Sequence, residues 1–285
     1  MKSIHYFANL IENVQQALKE DIGQGDLTAD LIDPDAQATA SVIIKEPAIV
    51  CGRPWFDAVF QQLDPQIQIQ WHCQEGDLLE AEQQVCTLEG NARHLLTGER
   101  SALNFLQTLS GTATTTAQYV AALKNSTTQL LDTRKTLPGL RLAQKYAVHC
   151  SGGKNHRIGL YDAILIKENH IMAAGGIIQA VTQAKKQHPN VTLEVETETL
   201  TEVKQALKAK ADIIMLDNFN LPDIQKAVHL AQGQAKLEVS GNVALTDLAD
   251  LATTKVDFIS TGAITKHLRA IDYSMRFNIA HKMDK

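Results

Sequence analysis

The chain has 285 residues, of which 44% are apolar, and its formal net charge is −5. It is too apolar for a disordered chain, and its negative charge argues against a protein that binds nucleic acid through bulk positive charge. No apolar run approaches the ~20 residues of a membrane span, and no secretory leader is expected. Because the four cysteines form no CxxC pair, we expect no structural zinc and a reducing, cytoplasmic location.

Residues 1–110 predict an N-terminal domain of mixed α and β structure. A first helix is predicted over Ile4–Leu18, and a second, over Ala92–Thr108, carries Arg100 and joins the two parts of the chain. Strand-like stretches are predicted at Thr39–Lys45, Ala48–Cys51 and Ile67–Cys73. The last stretch, 273–285, is predicted to fold back on one of the two domains, and the N-terminal domain is one of the two candidates.

Residues 111–272 repeat one unit, in which a short apolar run ends in polar or glycine-rich residues and a helical pattern follows. The six runs are Gln129–Leu131, Ala163–Ile166, Val191–Val195, Ile213–Leu216, Leu237–Val239 and Phe258–Ile259. This order is typical of successive βα units, in a parallel barrel or a doubly wound sheet. The absence of a GxGxxG turn argues against a dinucleotide-binding sheet. We therefore predict a barrel, incomplete because eight strands are not visible.

Positive charge is concentrated between Asp132 and His170, a segment that contains seven Lys and Arg residues but only three Asp and Glu residues. A basic segment in an acidic protein suggests a small anionic ligand. Arg134 with Lys135, and His156 with Arg157, supply paired cations at predicted strand ends. The cations at positions 141, 145 and 149 are equally well explained as a solvated helix face.

Carboxylates also follow the predicted strands. Glu194, Glu196 and Glu198 alternate and would share one face of a strand. Because Glu196 and Asp217 end neighbouring units, both can reach one site, and we interpret them as direct or water-mediated Mg²⁺ ligands. The alternative is a structural ion pair with Lys135 or Lys167.

Two glycine-bearing turns, Ser240–Asn242 and Ser260–Gly262, close the series of units. Backbone amides at such turns bind phosphate, and the last loops of α/β barrels commonly do so. Lys167 ends its own apolar run, where it is either a Schiff-base nucleophile or a fixed cation for an anionic substrate. Together these residues predict a site for a carboxylate-bearing substrate beside a phosphate-bearing one, with Mg²⁺ nearby.

At these residues the sequence resembles the quinolinate phosphoribosyltransferases. The matching stretches are EDIGQGDLTADLI (20–32), GERSALNFLQTLSG (98–111), DTRKTLPGLR (132–141), GGKNHRIGLYDAILIKENHI (152–171), LEVE (193–196), MLDNF (215–219), VSGN (239–242) and ISTGAITK (259–266). The resemblance covers nearly the whole chain. It implies an N-terminal α/β sandwich domain followed by an open, incomplete TIM-like α/β barrel.

The resemblance also implies an activity: transfer of phosphoribose from phosphoribosyl pyrophosphate to quinolinate, giving nicotinate mononucleotide, pyrophosphate and CO₂ in NAD biosynthesis. The residues implied to hold the quinolinate carboxylates are Arg134, Lys135, His156, Arg157 and Lys167, joined by Arg100 from the partner subunit of a homodimer or higher homo-oligomer. Glu196 and Asp217 would serve Mg²⁺ and the ribose, with Lys135 and Lys167 as further catalytic residues and candidate general acids. Phosphate would bind at Ser240, Gly241, Asn242 and Gly262.

The sequence is also compatible with three alternative functions. A paralogue with the same fold would act on another heterocyclic acid, a Schiff-base aldolase would use Lys167, and a non-catalytic protein would only bind a phosphate ligand. The chain departs from the family pattern at Thr197, where an apolar residue is common, and at Cys150–Ser151, where more glycine is common. Neither departure removes a charged residue of the predicted site.

Overall fold

The computed structural model describes residues 4–279. The chain forms two compact units. The first takes in the described residues up to Thr115, Leu137–Ser151 and those from Leu268 onward, and the second takes in Thr116–Thr136 and Gly152–His267. The predicted boundary at residue 110 differs from this division chiefly because Leu137–Ser151 groups with the first unit.

The strands are β1 (Gln37–Ile44), β2 (Ala48–Ile49), β3 (Gln68–Trp71), β4 (Leu78–Leu79), β5 (Gln84–Asn91), β6 (Gln129–Leu131), β7 (Ile164–Ile166), β8 (Leu193–Thr197), β9 (Ile213–Asp217), β10 (Lys236–Ser240), β11 (Phe258–Ser260) and β12 (Tyr273–Ile279). The α-helices are α1 (Leu10–Ile22), α2 (Arg53–Leu63), α3 (Ala92–Ala122), α4 (Arg141–Cys150), α5 (Glu168–Ala174), α6 (Ile177–Gln187), α7 (Leu200–Lys208), α8 (Leu221–Ala231), α9 (Leu248–Thr253) and α10 (Ala263–Lys266).

An antiparallel sheet in the order β12-β1-β5-β3 forms the framework of the first unit. Alternate side chains of β1 from Ala38 to Ile44 are buried, as expected of a strand with one face on a core. The large buried side chains of α2, Trp55, Phe56 and Phe60, belong to that core. The stretch 273–279 joins this sheet, because β12 pairs with β1 from Tyr273↔Ile44 to Ile279↔Ala38. Residues 280–285 of the predicted C-terminal stretch lie outside the described residues.

The second unit contains six parallel strands in the order β6-β11-β10-β9-β8-β7. The first strand in sequence, β6, pairs with the last, β11, so the order is that of a barrel opened between β6 and β7. In that opening Lys154 forms an isolated parallel bridge with Leu131. Helical structure follows each strand along the chain. The barrel strands are rich in buried apolar residues, as in other parallel sheets whose faces are covered by helices. The predicted open, incomplete α/β barrel is confirmed.

The strand register decides which side chains share a face. Glu196 pairs with Met215, and Met215 with Glu238, while Asp217 pairs with Ser240. Since every second residue of a strand lies on the same face, Glu194, Asp217 and Glu238 project on one side of the sheet. The alternate residues, such as Val195, Ile214 and Val239, project on the other side and are buried. One face of this sheet is therefore charged at its carboxyl end.

All six predicted strands of the second unit are present, with bounds that differ by two residues or fewer. The joining helix is longer than predicted, since α3 continues to Ala122. The prediction for Glu198 is wrong: β8 ends at Thr197, and the N–H of Glu198 donates to Glu202 in a turn. Of the helices within residues 4–279, none has both the length and the apolar character to cross a bilayer.

Candidate active site

The predicted site residues of the second unit follow the carboxyl ends of its parallel strands. Because these strands are parallel, the ends lie along one edge of the sheet. Arg134 and Lys135 follow β6, Lys167 follows β7, and Glu196 and Asp217 lie at the ends of β8 and β9. Ser240 ends β10, and the segment leading to Gly262 follows β11. His156 and Arg157 lie in the segment after Lys154, which occupies the opening of the barrel.

Arg134 and Arg157 lie close enough to repel each other. Partial burial and the positive charge of Arg134 lower the pKa of Arg157, against weaker opposing effects of Glu194 and Asp162. One guanidinium nitrogen of Arg157 donates to the carbonyl of Ala163 at 3.3 Å. Two partly buried guanidinium groups brought together in this way favour the binding of an anion between them.

His156 is held from two sides. Its backbone N–H donates to the buried carboxylate of Asp132 at 2.8 Å, and the side chain of Asn155 donates to the same carboxylate at 2.7 Å. Its ring Nε2 lies 2.8 Å from Glu194 and 3.5 Å from Glu238. Glu238 is fully buried, and its burial and the nearby charge of Glu194 raise its pKa to about 8. Glu238 is therefore mostly protonated near neutral pH, which relieves the repulsion between the two carboxylates.

Lys167 is not in the desolvated environment that the Schiff-base interpretation requires. Its side chain is 47% exposed, and its ammonium group forms a 2.5 Å ion pair with Glu196. A Schiff-base nucleophile needs a neutral amine, usually in a desolvated pocket. The environment of Lys167 suits a fixed cation instead, which was the second of the two interpretations. The ion pair of Lys167 with Glu196 was also anticipated as an alternative to metal binding.

A cleft of about 290 Å³ lies beside the last strands and includes both glycine-bearing turns. Its lining includes Lys135, Ser240, Gly241, Asn242 and Gly262, together with Lys266. Gly241 has φ +101°, and a Cβ there would lie 2.2 Å from Oδ1 of Asn218. Both features require glycine at position 241. The cleft therefore brings the predicted phosphate-binding residues together with two lysines.

Four basic residues discussed in the sequence analysis belong to the first unit: Arg100, Arg141, Lys145 and His149. Arg100 is exposed on α3. On α4 the solvated-face interpretation is wrong for Lys145, which is fully buried, whereas His149 is exposed and stacks on Tyr6. Arg141 is half-buried.

Two residues important for the site geometry were not assigned a role from the sequence. Asp132 directly follows the predicted strand Gln129–Leu131, but its acceptance of hydrogen bonds from Asn155 and His156 depends on tertiary structure. Glu238 was included in an apolar run, Leu237–Val239. The sequence did contain one indication of its role, because a charged residue is unusual at the centre of an apolar run. Glu238 also lies two positions before Ser240, so the two side chains lie on the same face of the strand.

The donor set at the ends of β8 and β9 fits a hard divalent cation. Glu196 and Asp217 offer carboxylate oxygens, and Mg²⁺ is usually bound through one or two carboxylates, substrate phosphates and water. Asp217 accepts a hydrogen bond from Asn218 at 2.8 Å, and Glu196 is paired with Lys167. Metal binding by Glu196 would therefore compete with this ion pair.

Paired arginines and carboxylates beside a glycine-lined cleft are suited to small anionic substrates, and the chain falls in the class of α/β-barrel enzymes. Comparison with known proteins defines the family. Residues 26–110 match the quinolinate phosphoribosyl transferase N-terminal domain, and residues 112–276 match the C-terminal domain of the same family. The chain belongs to the quinolinate phosphoribosyltransferase family.

Individual relatives agree with this assignment. The solved structure of the nicotinate-nucleotide pyrophosphorylase from Francisella tularensis is 51% identical, with a TM-score of 0.93 over 97% of this chain and 98% of that one. NadC from Streptococcus pyogenes is 38% identical, with a TM-score of 0.93 over 99% and 100%. A probable nicotinate-nucleotide pyrophosphorylase (carboxylating) from Synechocystis is 43% identical over 92% of this chain and 90% of its own length.

Proposed function

We propose that the protein transfers phosphoribose from phosphoribosyl pyrophosphate to quinolinate and releases pyrophosphate and CO₂, forming nicotinate mononucleotide for NAD biosynthesis. The observation that carries the proposal is the pairing of Arg134 and Arg157, where partial burial and then repulsion by Arg134 lower the pKa of Arg157. A dianionic substrate bound between them would offset that repulsion. Relatives named for this activity match the chain over nearly its whole length.

Quinolinate binding is assigned to the cations at the opening of the barrel. Arg134 and Arg157 would each contact a carboxylate, because the planar guanidinium group can form two parallel hydrogen bonds with one. His156, held by Asp132 and Glu194, would add a third positioned group. Lys167 and Lys135 would supply the remaining positive charge, and both side chains are exposed enough to reach a ligand.

Phosphoribosyl pyrophosphate is assigned to the cleft near the last two strands. Ser240, Gly241, Asn242 and Gly262 offer backbone and side-chain donors there, and loops of this kind bind phosphate in many barrels. Lys135 lines the same cleft and directly follows Arg134 in the segment after β6. This places Lys135 at the junction between the two proposed substrate sites.

Mg²⁺ is proposed as the cofactor, held by Glu196 and Asp217 directly or through water. When bound, the ion would neutralise charge on the departing pyrophosphate. The carboxylates of Glu196 and Asp217 would stabilise the positive charge that develops on the ribose ring as pyrophosphate leaves. Because Lys167 pairs with Glu196, it would keep that carboxylate oriented.

The remaining chemistry depends on positioning. The cations would align the pyridine nitrogen with the anomeric carbon, an ordering worth ~7–11 kcal/mol in favourable cases. Once the nitrogen is alkylated, loss of the adjacent carboxylate leaves a carbanion next to a cationic nitrogen. A proton then replaces the CO₂ that has left, and Lys135 and Lys167 are the two candidate donors.

A homodimer with a shared active site is also proposed. Arg100 belongs to the first unit and is exposed, so it is available to enter the site of a partner subunit, as the family resemblance implies. The expected cytoplasmic location remains a prediction.

The test is product analysis with quinolinate, phosphoribosyl pyrophosphate and Mg²⁺, run in parallel with nicotinate in place of quinolinate. We expect nicotinate mononucleotide and CO₂ from quinolinate, and no product from nicotinate. Product from nicotinate at a comparable rate would contradict the requirement for a second carboxylate. The absence of product from quinolinate in folded protein would contradict the proposed function itself.

A further inference from the structure

A second group of reactive side chains lies in the first unit, among residues with no part in the proposed reaction. Cys51, Glu75 and Cys150 place their ligand-type atoms within 4.8 Å of one another. Cys51 lies in the loop between β2 and α2, and Cys150 is the last residue of α4. Two thiols that are far apart in sequence thus meet beside one half-buried carboxylate.

The backbone fixes both ends of this group. The N–H of Cys51 donates to Oγ of Ser110 at 3.0 Å, and the same hydroxyl lies 3.2 Å from the Cys51 carbonyl. Glu75 accepts hydrogen bonds from the N–H groups of Gly52 and Arg53. At Gly76 a Cβ atom would lie 3.0 Å from the carbonyl oxygen of Cys150, so the turn that carries Glu75 packs against the end of α4.

The two thiols differ in environment. Cys51 is fully buried, and burial raises its pKa far above the usual value. Cys150 is partly exposed. Hydrogen bonds from the Cys51 thiol and the Tyr146 hydroxyl lower the pKa of Cys150, despite partial burial and the charge of Glu75. A partly exposed cysteine stabilised as thiolate beside a second thiol is the arrangement found in oxidant-sensitive cysteine pairs.

We propose that Cys51 and Cys150 form a peroxide-oxidisable dithiol site, in which Cys150 reacts first and Cys51 then closes a disulfide. The Cys150 thiolate attacks one oxygen of a peroxide, the O–O bond breaks, and a sulfenic acid forms. The Cys51 sulfur then attacks the Cys150 sulfur, and the S–O bond breaks. Two thiols lose two electrons and two protons, and hydrogen peroxide is reduced to two molecules of water.

Glu75 has a defined part in the second step. The Glu75 carboxylate is the second hydrogen-bond acceptor, besides Cys150, for the single proton of the Cys51 thiol, and burial raises the pKa of Glu75. Glu75 therefore accepts the Cys51 proton during attack and passes it to the departing hydroxide, which leaves as water. Burial disfavours ionisation of the Cys51 thiol, and transfer of its proton to Glu75 generates the attacking thiolate during the reaction.

The first test uses the unmodified protein. The chain has four cysteines, and after treatment with hydrogen peroxide we expect a thiol count under denaturing conditions to fall from four to two. Mass spectrometry is expected to show loss of two hydrogen atoms and a cross-linked peptide pair containing Cys51 and Cys150. Retention of all four thiols, or a cross-link between Cys73 and Cys86, would overturn the proposal.

Variants separate the two steps. Cys51→Ala is expected to stop at a sulfenic acid on Cys150 that a dimedone probe captures, and Tyr146→Phe to slow its formation. Cys73→Ala is the matched control, and it should still form the disulfide at the wild-type rate. If the untreated protein instead binds one Zn²⁺ through Cys51 and Cys150 and resists peroxide, the group is a metal site and the dithiol assignment is wrong.

Discussion

Lys135 passes so close to Gly262 that a Cβ atom at position 262 would lie 2.8 Å from Cδ of the lysine. The same added atom would lie 3.3 Å from Cβ of Lys135 and from Oγ1 of Thr133. The absence of a side chain at Gly262 thus determines where Lys135 enters the cleft. This contact links the glycine-bearing turn after β11 to the cations that follow β6.

Gly262→Ala is expected to displace Lys135 and weaken binding of phosphoribosyl pyrophosphate by about 1.5–3 kcal/mol, the typical contribution of a hydrogen bond to a charged group. The measurement is a double-mutant cycle with Lys135→Ala. In the Lys135→Ala background the clash with Cδ disappears, so Gly262→Ala should have much less effect. Additive losses would mean that Gly262 acts independently of Lys135.

Arg134→Ala and Arg157→Ala are each expected to raise the KM for quinolinate by roughly 10- to 100-fold, because each removes a charged hydrogen-bonding partner. The KM for phosphoribosyl pyrophosphate should change much less. Arg269→Ala is the matched control, since Arg269 is exposed and paired with Glu46 in the first unit. Wild-type quinolinate kinetics in both site variants would refute the assignment of this pocket.

Asp132→Ala removes the acceptor for the His156 N–H and the Asn155 side chain. We expect a loss of about 1–3 kcal/mol of stability, together with a raised KM for quinolinate because the segment carrying Arg157 is released. Asp257→Ala is a useful comparison, because Asp257 accepts from the N–H of Leu237 at the opposite end of β10. That variant should lose stability with little change in KM, and equal KM effects would argue against a positioning role for Asp132.

Glu238 is expected to make the protein less stable as the pH rises. Its folded-state pKa is about 8, above the ordinary value of 4.5, so the folded state binds more protons than the unfolded state between these values. This contribution is complete below the ordinary pKa and is lost as the pH rises through the folded one. Urea unfolding from about pH 5 to 9 should show this decline in wild type and a weaker one in Glu238→Gln. Parallel curves would contradict the assignment.

Arg100 provides a test of the shared site. Arg100→Ala and Lys135→Ala are each expected to be nearly inactive alone. After subunit exchange, a mixed dimer contains one site that lacks neither side chain, so mixing should restore up to about a quarter of wild-type specific activity if subunits combine at random. Failure to restore activity, when exchange is demonstrated with labelled subunits, would place Arg100 and Lys135 in the same subunit's site or remove Arg100 from it.

The second unit was predictable because its strands have strong local signals. β9 and β10 are short apolar runs ending in Asp217 and Ser240, and parallel pairing places such ends along one edge. The sequence alone therefore groups the site residues along this edge of the sheet. The open barrel was also predictable, because six units were visible where a closed barrel has eight.

The exposure of Lys167, the charged neighbour of Glu238 and the strand β5 were not predicted, because all three depend on tertiary contacts. Lys167 ends an apolar run, yet it is half-exposed because β7 lies at the edge of the sheet. The run containing Glu238 has the composition of a buried strand, and nothing local shows that His156, about eighty residues earlier, provides its charged neighbour. In the first unit, β5 was missed because its residues Gln84–Asn91 are largely polar, although it lies between β1 and β3.

The strand order has a consequence for the time at which the protein can fold during synthesis. β6 pairs with β11, where Gln129 lies opposite Phe258. β1 pairs with β12, where Ala38 lies opposite Ile279. Each unit is therefore completed by a strand that is made long after the strand with which it pairs. Contacts of such long sequence separation slow folding. The early strands must wait with unpaired edges, a state in which chaperones can bind them before the enzyme exists.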